Sequence, residues 1–325
     1  MSAWSHAQTL TAALPFARPQ VPGGHDVMLE VDIPEGGVLV LECTFLPKPA
    51  PLVIVLHGVS GSSKDSYVVR AARAFLRAGF HTARLNQRGS GLGMGKARRL
   101  AHAGLGEDLA LAVRFLSQRS DVTTIGSLGF SLGGHVALSC AADVADQQER
   151  LDKLRALATI SAPVDLVDSA RGFDALRAGR FTGFYERRMV ASLIQRARAV
   201  HESGHPVPFL PAALDAITTI RGFDELVTCP SHGFRDVDDY YTRASVAPRL
   251  HRIGLPTLMV HANDDPMVPV TALRTLHASA RISSAVDVVI LPTGGHVGFI
   301  EGFTQLWDAT SAVHRALLHM KRHLA

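Results

Sequence analysis

The pentapeptide Gly129-Phe130-Ser131-Leu132-Gly133 sets a serine between two glycines, at the junction of an apolar run and a helical pattern. A serine on so tight a strand-to-helix turn projects its hydroxyl beyond the sheet, and the flanking glycines leave room for the strained backbone. The helix N-terminus favours the negative charge that develops in acyl transfer. A serine hydroxyl is a weak nucleophile at neutral pH and requires a base, which in turn requires an orienting acid. With a nucleophile on this kind of turn, the acid and then the base come later in the chain. His296, in the glycine turn Gly294-Gly295-His296, is the candidate base. Asp264 and Asp265, in Asn263-Asp264-Asp265-Pro266-Met267-Val268-Pro269, compete for the acid, with Asp265 preferred and Asp264 read as a turn or capping residue. Asp165 is a weaker third candidate. The turn His57-Gly58-Val59-Ser60-Gly61 follows another apolar run, and the amides of Val59 and Leu132 are the candidate oxyanion donors.

A second motif proposes different chemistry. His201-Glu202-Ser203-Gly204-His205 fits H-E-x-x-H, which binds zinc when both imidazoles share one helix face. Glu225 has the spacing of a third ligand. Gly204 lies inside the motif, however, and Pro206 disfavours helical backbone at His205. The zinc hydrolase is therefore the remote alternative, and no metal or organic cofactor is expected.

The elements that must position the serine, acid and base alternate along the chain. Val38–Phe45, Leu52–Leu56, Phe80–Asn86, Thr124–Phe130, Ala156–Ser161, Thr257–His261 and Val286–Leu291 read as strands. Ser66–Ala78, Glu107–Gln118, Leu132–Ala145, Thr271–Ala280 and Gln305–His323 read as helices. This order predicts an α/β fold, a mostly parallel sheet with helices on both faces, over a single domain at 1–325. From about Asp165 to Arg252 no strong strand appears, and helical patches such as Tyr185–Val200 alternate with Gly/Pro breaks. Residues 165–252 are expected to be a helical cap inserted between sheet strands. In a parallel sheet the candidate loops all fall at carboxyl ends of strands, where such sheets bind ligands.

Composition narrows the class. The 325 residues are 47% hydrophobic and 19% charged, which favours a packed core over disorder. The net charge of +4 is not gathered into a Lys/Arg run, and aromatics are only 6%, so a nucleic-acid partner is not expected. No apolar stretch reaches the ~20 residues of a membrane helix, and Met1–Leu10 lacks the pattern of a secretory signal. Cys43, Cys140 and Cys229 are widely spaced, which points to reduced thiols in a cytoplasmic protein. The oligomeric state is open.

The ordered set of segments resembles the YheT-like esterases, the AB hydrolase type-4 branch of the α/β-hydrolases, nearly end to end. Ser5-His6-Ala7-Gln8-Thr9 resembles that branch's N-terminal signature, and Leu56-His57-Gly58 through Ser63 its oxyanion segment. Asn86-Gln87-Arg88-Gly89 is similar to its Asn-Phe-Arg-Gly turn, whereas Gly91–Gly95 is richer in glycine than the branch's counterpart. Phe223-Asp224-Glu225, His232-Gly233-Phe234 and Asp238 to Ser245 run in the family's order. Tyr240 and Tyr241 are read as packing the cap on the sheet. The resemblance implies an α/β-hydrolase fold, a Ser131-Asp265-His296 triad, and hydrolysis of short- to medium-chain or lipid-like carboxylic esters. An acyltransferase or a peptidase could use the same three residues.

Overall fold

The computed structural model describes residues 3–12, 24–147, 151–177, 182–300 and 310–324. Its centre is an eight-stranded sheet in the order β1-β2-β4-β3-β5-β6-β7-β8. The strands are β1 His25–Asp32, β2 Val38–Phe45, β3 Ala50–Leu56, β4 His81–Asn86, β5 Val122–Phe130, β6 Leu154–Ile160, β7 Thr257–Ala262 and β8 Val286–Leu291. β1 and β2 form an antiparallel hairpin, β2 pairs antiparallel with β4, and every pairing from β4 through β3 to β8 is parallel.

The helices, in chain order, are α1 Ala3–Ala12, α2 Ser66–Arg77, α3 Glu107–Ser117, α4 Leu132–Gln147, α5 Leu166–Arg177, α6 Thr182–Glu202, α7 Ile220–Phe223, α8 Cys229–His232, α9 Val237–Ala244, α10 Thr271–Ala278 and α11 Ser311–Leu324. The strand and helix expectations agree with these elements to within a few residues. The expected start of the last helix, at 305–309, lies outside the described residues. β1 is an addition. It sits at the sheet edge, where Val27, Leu29 and Val31 face the core and alternate with more exposed residues.

β3 illustrates why the central strands are continuous apolar runs. Leu52, Ile54 and Leu56 lie on one side of the sheet, in the core cluster that includes Leu109 of α3 and Val136 of α4. Val53 and Val55 pack on the other with α2 and α11, through Phe75, Ala312 and Met320. Both faces are covered, so both sets of side chains are apolar.

Between β6 and β7 the described residues form helices and connecting turns without a strand, from Leu166 to Arg252. The zinc pattern fails within this stretch. α6 ends at Glu202, and Gly204 turns the chain with φ +78°, so His201 and His205 do not share a helix face. Asp165 is also accounted for: its Oδ1 accepts the amides of Val167 and Asp168 at 2.9 and 3.1 Å, which caps α5. Cys43, Cys140 and Cys229 are free and buried. Among the described residues no helix is long and apolar enough to cross a membrane.

One buried ion network ties the hairpin side of the sheet to α3. Arg88 Nε donates to Asp108 at 2.6 Å, and Arg88 also pairs with Glu35, which holds Arg99 at 2.7 Å. Arg88 and Asp108 are both buried, so removing one partner strands the other's charge. Arg88→Met is expected to lower stability by about 3–5 kcal/mol. Urea denaturation measures this, and a loss below about 1 kcal/mol would contradict the role given to the network.

Candidate active site

The parallel pairing brings the three candidate side chains to one edge of the sheet. Phe130 of β5 is in register with Ile160 of β6, Ile160 with Val260 of β7, and Ala262 of β7 with Leu291 of β8. Ser131, Asp265 and His296 follow β5, β7 and β8 respectively, so their loops leave the sheet on the same side.

Ser131 sits between β5 and α4 with φ +50°, a conformation that costs a non-glycine residue of order 1 kcal/mol or more. Its amide donates to Ile160 O at 2.9 Å, and its carbonyl accepts from Gly134 at 2.9 Å and His135 at 3.2 Å. The turn is crowded. A Cβ on Gly129 would lie 2.4 Å from Gly133 O, and one on Gly133 would lie 2.4 Å from His57 O. Both glycines of the pentapeptide are therefore steric necessities.

His296 joins the other two residues. Its Nε2 is 2.9 Å from Ser131 Oγ, and its Nδ1 is 2.9 Å from Asp265 Oδ2 and 3.1 Å from Oδ1. With Nδ1–H donating to the carboxylate, Nε2 is left as the acceptor for the hydroxyl proton. Asp265 Oδ1 also accepts the amides of Met267 and Val268 at 2.8 and 3.0 Å. Burial opposes ionisation of Asp265, but His296, His261 and the Val268 amide outweigh it and hold its pKa below the usual carboxylate value. Val297 and Phe299, just beyond His296, have φ +58° and +50°. Strain thus follows the histidine as well as marking the serine.

The two adjacent aspartates do different jobs. Asp264 Oδ1 accepts the amides of Gly294 and Gly295 at 2.8 and 3.0 Å, so Asp264 clamps the histidine turn that Asp265 touches only through the imidazole.

The side chains that support this arrangement were not individually readable in the sequence. Thr9 of α1 accepts the His296 amide at 2.9 Å while donating to Ser5 O at 2.8 Å. Gln8 Oε1 accepts the Ile300 amide at 2.8 Å. A Cβ on Gly295 would lie 2.4 Å from Ser5 O, and one on Gly298 2.5 Å from Gln8 O. The N-terminal signature is therefore a bracket for the histidine loop, and the glycines let the two backbones meet. Under the turn at His57 to Gly61, Gln87 Nε2 donates to His57 O at 2.7 Å, the Gln87 amide donates to His57 Nε2 at 3.2 Å, and Tyr67 Oη accepts from Gly58 N at 3.0 Å. Burial pushes His57 down to about 3, which keeps this imidazole neutral.

Ser131 and His296 open onto a cavity of about 130 Å3. Val59 and Leu132 line it beside the serine. The helical stretch between β6 and β7 supplies much of the rest, including Leu166, Phe173, Leu193 and Phe223. Asp224 lies in a π-helical turn and is fully enclosed, with Thr228 and Tyr241 donating to its two oxygens at 2.7 and 2.8 Å. Burial pushes Asp224 up to about 6. Tyr240 accepts the Ala103 amide at 3.0 Å. The paired tyrosines therefore pack, as expected, and also hydrogen-bond across the cavity wall.

Comparison with known proteins agrees with this geometry. The family model described as alpha/beta hydrolase fold matches residues 51–204. The Escherichia coli (strain K12) protein named "Putative esterase YheT" is 28% identical over 85% of this chain and 80% of its own length. The chain has the α/β-hydrolase fold and is similar to the YheT-like esterases. This α/β-hydrolase is also similar to the human phospholipase ABHD3, at 25% identity over 94% of this chain and 72% of that protein. The monoacylglycerol lipase of Saccharomyces cerevisiae is 26% identical over 77% of this chain, which spans 55% of that lipase. Among solved structures, esterase Pf2001 of Pyrococcus furiosus superposes with a TM-score of 0.60 at 16% identity, covering 96% of this chain and 99% of the other, which bears on the fold.

Thr9→Val removes the acceptor of the buried His296 amide, at a local cost of about 1–3 kcal/mol. Amide hydrogen exchange in peptides covering residues 294–300 is expected to quicken in Thr9→Val and to stay slow in Thr9→Ser. Equal exchange in both variants would contradict the bracket.

Proposed function

We propose that this protein is a serine hydrolase that cleaves carboxylic esters through Ser131, His296 and Asp265. The observation that carries the reading is the imidazole of His296, which lies 2.9 Å from both the Ser131 hydroxyl and the Asp265 carboxylate at the mouth of a largely apolar cavity. Relatives named as an esterase, a phospholipase and a lipase support ester hydrolysis as the reaction class.

In the proposed mechanism His296 Nε2 takes the Ser131 proton as Oγ attacks the ester carbonyl. Asp265 holds the imidazole tautomer and stabilises the imidazolium. The tetrahedral oxyanion is held by the amides of Val59 and Leu132. The Leu132 amide, in the first turn of α4, has no carbonyl of its own helix to bond, and the helix N-terminus adds favourable potential. His296 then protonates the leaving alcohol. Water repeats the sequence on the acyl-enzyme and releases the acid. The helical residues between β6 and β7, at 165–252, act as a cap whose side chains select the ester. The apolar lining suits a short or medium acyl chain or a lipid-like one. Each step uses groups of the chain itself and water.

Ser131→Ala is expected to reduce turnover of p-nitrophenyl esters by about 10⁴-fold or more, with the fold intact by circular dichroism. Near-normal turnover in that variant would overturn the nucleophile assignment. Asp265→Asn should lose more activity than Asp264→Asn, because it breaks the contact to the imidazole while Asp264 holds only loop amides. Steady-state kinetics on the two variants checks the order, and the reverse order would exchange their roles.

A further inference from the structure

Arg196 is the charged group in the cavity wall that the proposed acyl transfer leaves unused. It stands on α6, is 7% exposed, and lines the same cavity as Ser131 and His296. Nη1 donates to Ser90 Oγ and Nη2 to Gly61 O, each at 2.7 Å. Its Nε–H is buried and has no acceptor among the described residues. Both acceptors it does have are neutral, and among the described residues no carboxylate forms an ion pair with it. Asp65 is the carboxylate whose charge reaches it, but Asp65 accepts from Ser62 Oγ at 3.1 Å and from Tyr67. The acid in the cavity wall, Asp224, has both oxygens taken by Thr228 and Tyr241. Burial brings the Arg196 guanidinium down to about 10, so it is still a cation at neutral pH.

A buried cation with an idle donor is costly to keep. The cost is offset when a bound molecule supplies the missing negative charge beside the guanidinium. A cavity of about 130 Å3 with one cation in its wall that no carboxylate pairs with suits a compact monoanion better than a bulky multiply charged group. We propose that Arg196 is a specificity-determining residue and that the cavity takes esters bearing a carboxylate, which Arg196 binds while Ser131 attacks the ester carbonyl. This rests on the serine-hydrolase reading above and goes beyond it by assigning a charge to the substrate.

The test compares p-nitrophenyl hydrogen glutarate with p-nitrophenyl valerate, which have acyl chains of equal length with and without a terminal carboxylate. A second pair, 4-acetoxybenzoate and phenyl acetate, carries the carboxylate on the alcohol side instead. For each pair the ratio of kcat/KM, anionic over neutral, is measured in the natural protein and divided by the same ratio in Arg196→Gln, so that intrinsic ester reactivity cancels. A quotient of about tenfold or more for either pair supports the proposal and says which side of the ester carries the charge. A quotient near one for both pairs overturns it and makes Arg196 a strut between α6 and the oxyanion turn. Should Arg196→Gln fail to fold, product inhibition of the natural protein decides. Glutarate inhibiting valerate-ester turnover at a lower concentration than valerate supports the proposal, and equal inhibition overturns it. Failure of the serine-hydrolase reading would look different, since the natural protein would then not turn over p-nitrophenyl valerate through Ser131 at all.

Discussion

The His296 imidazole is the one contact on which the rest of the site depends. Its two nitrogens reach Ser131 and Asp265, on loops that follow strands otherwise separated by β6. A deviation of about 1 Å in this ring would break a hydrogen bond on one side or the other. The surroundings are arranged accordingly. The ring is held through its own amide by Thr9, through the preceding glycines by Asp264, and through Asp265 by the amides of Met267 and Val268. Positive φ angles at Ser131, Val297 and Phe299 show strain retained on both sides of the contact. Strain of that kind persists only where neighbouring structure over-determines the backbone.

What was legible in the sequence was local. The elbow at Ser131 is fixed by short-range sterics, since each glycine faces backbone within a few ångströms, and a pentapeptide can encode that. β3 is an unbroken apolar run because the sheet is covered on both faces. The order of candidate serine, acid and base followed from the chain order that goes with a nucleophile on such a strand-to-helix turn. The choice between Asp264 and Asp265 was harder, because adjacent residues in a loop can turn either side chain toward the histidine, and the hydrogen bonds separate them: one accepts loop amides, the other the imidazole.

What was not legible was long-range. The bond from His296 to Thr9 joins residues 287 apart in sequence, and nothing in the spacing of Ser5 to Thr9 points to a histidine at the other end of the chain. Gln87 under His57, and Arg196 across the cavity from a helix of the inserted stretch, belong to the same class. The H-E-x-x-H pattern at His201 shows the converse. Its residues are adjacent in sequence, yet the helix that would align them stops at Glu202. β1 was missed although it alternates, because an edge strand that is exposed on one face gives a weaker signal than the buried runs.

The centre of the proposed chemistry is a serine made nucleophilic by a neighbouring imidazole, and covalent trapping tests that most directly. A fluorophosphonate reacts with an activated serine hydroxyl and leaves a stable adduct whose position can be mapped. A single modified peptide containing Ser131 is expected, with labelling strongly slowed in His296→Ala. Adduct on another residue, or labelling of Ser131 at an unchanged rate without His296, would contradict it.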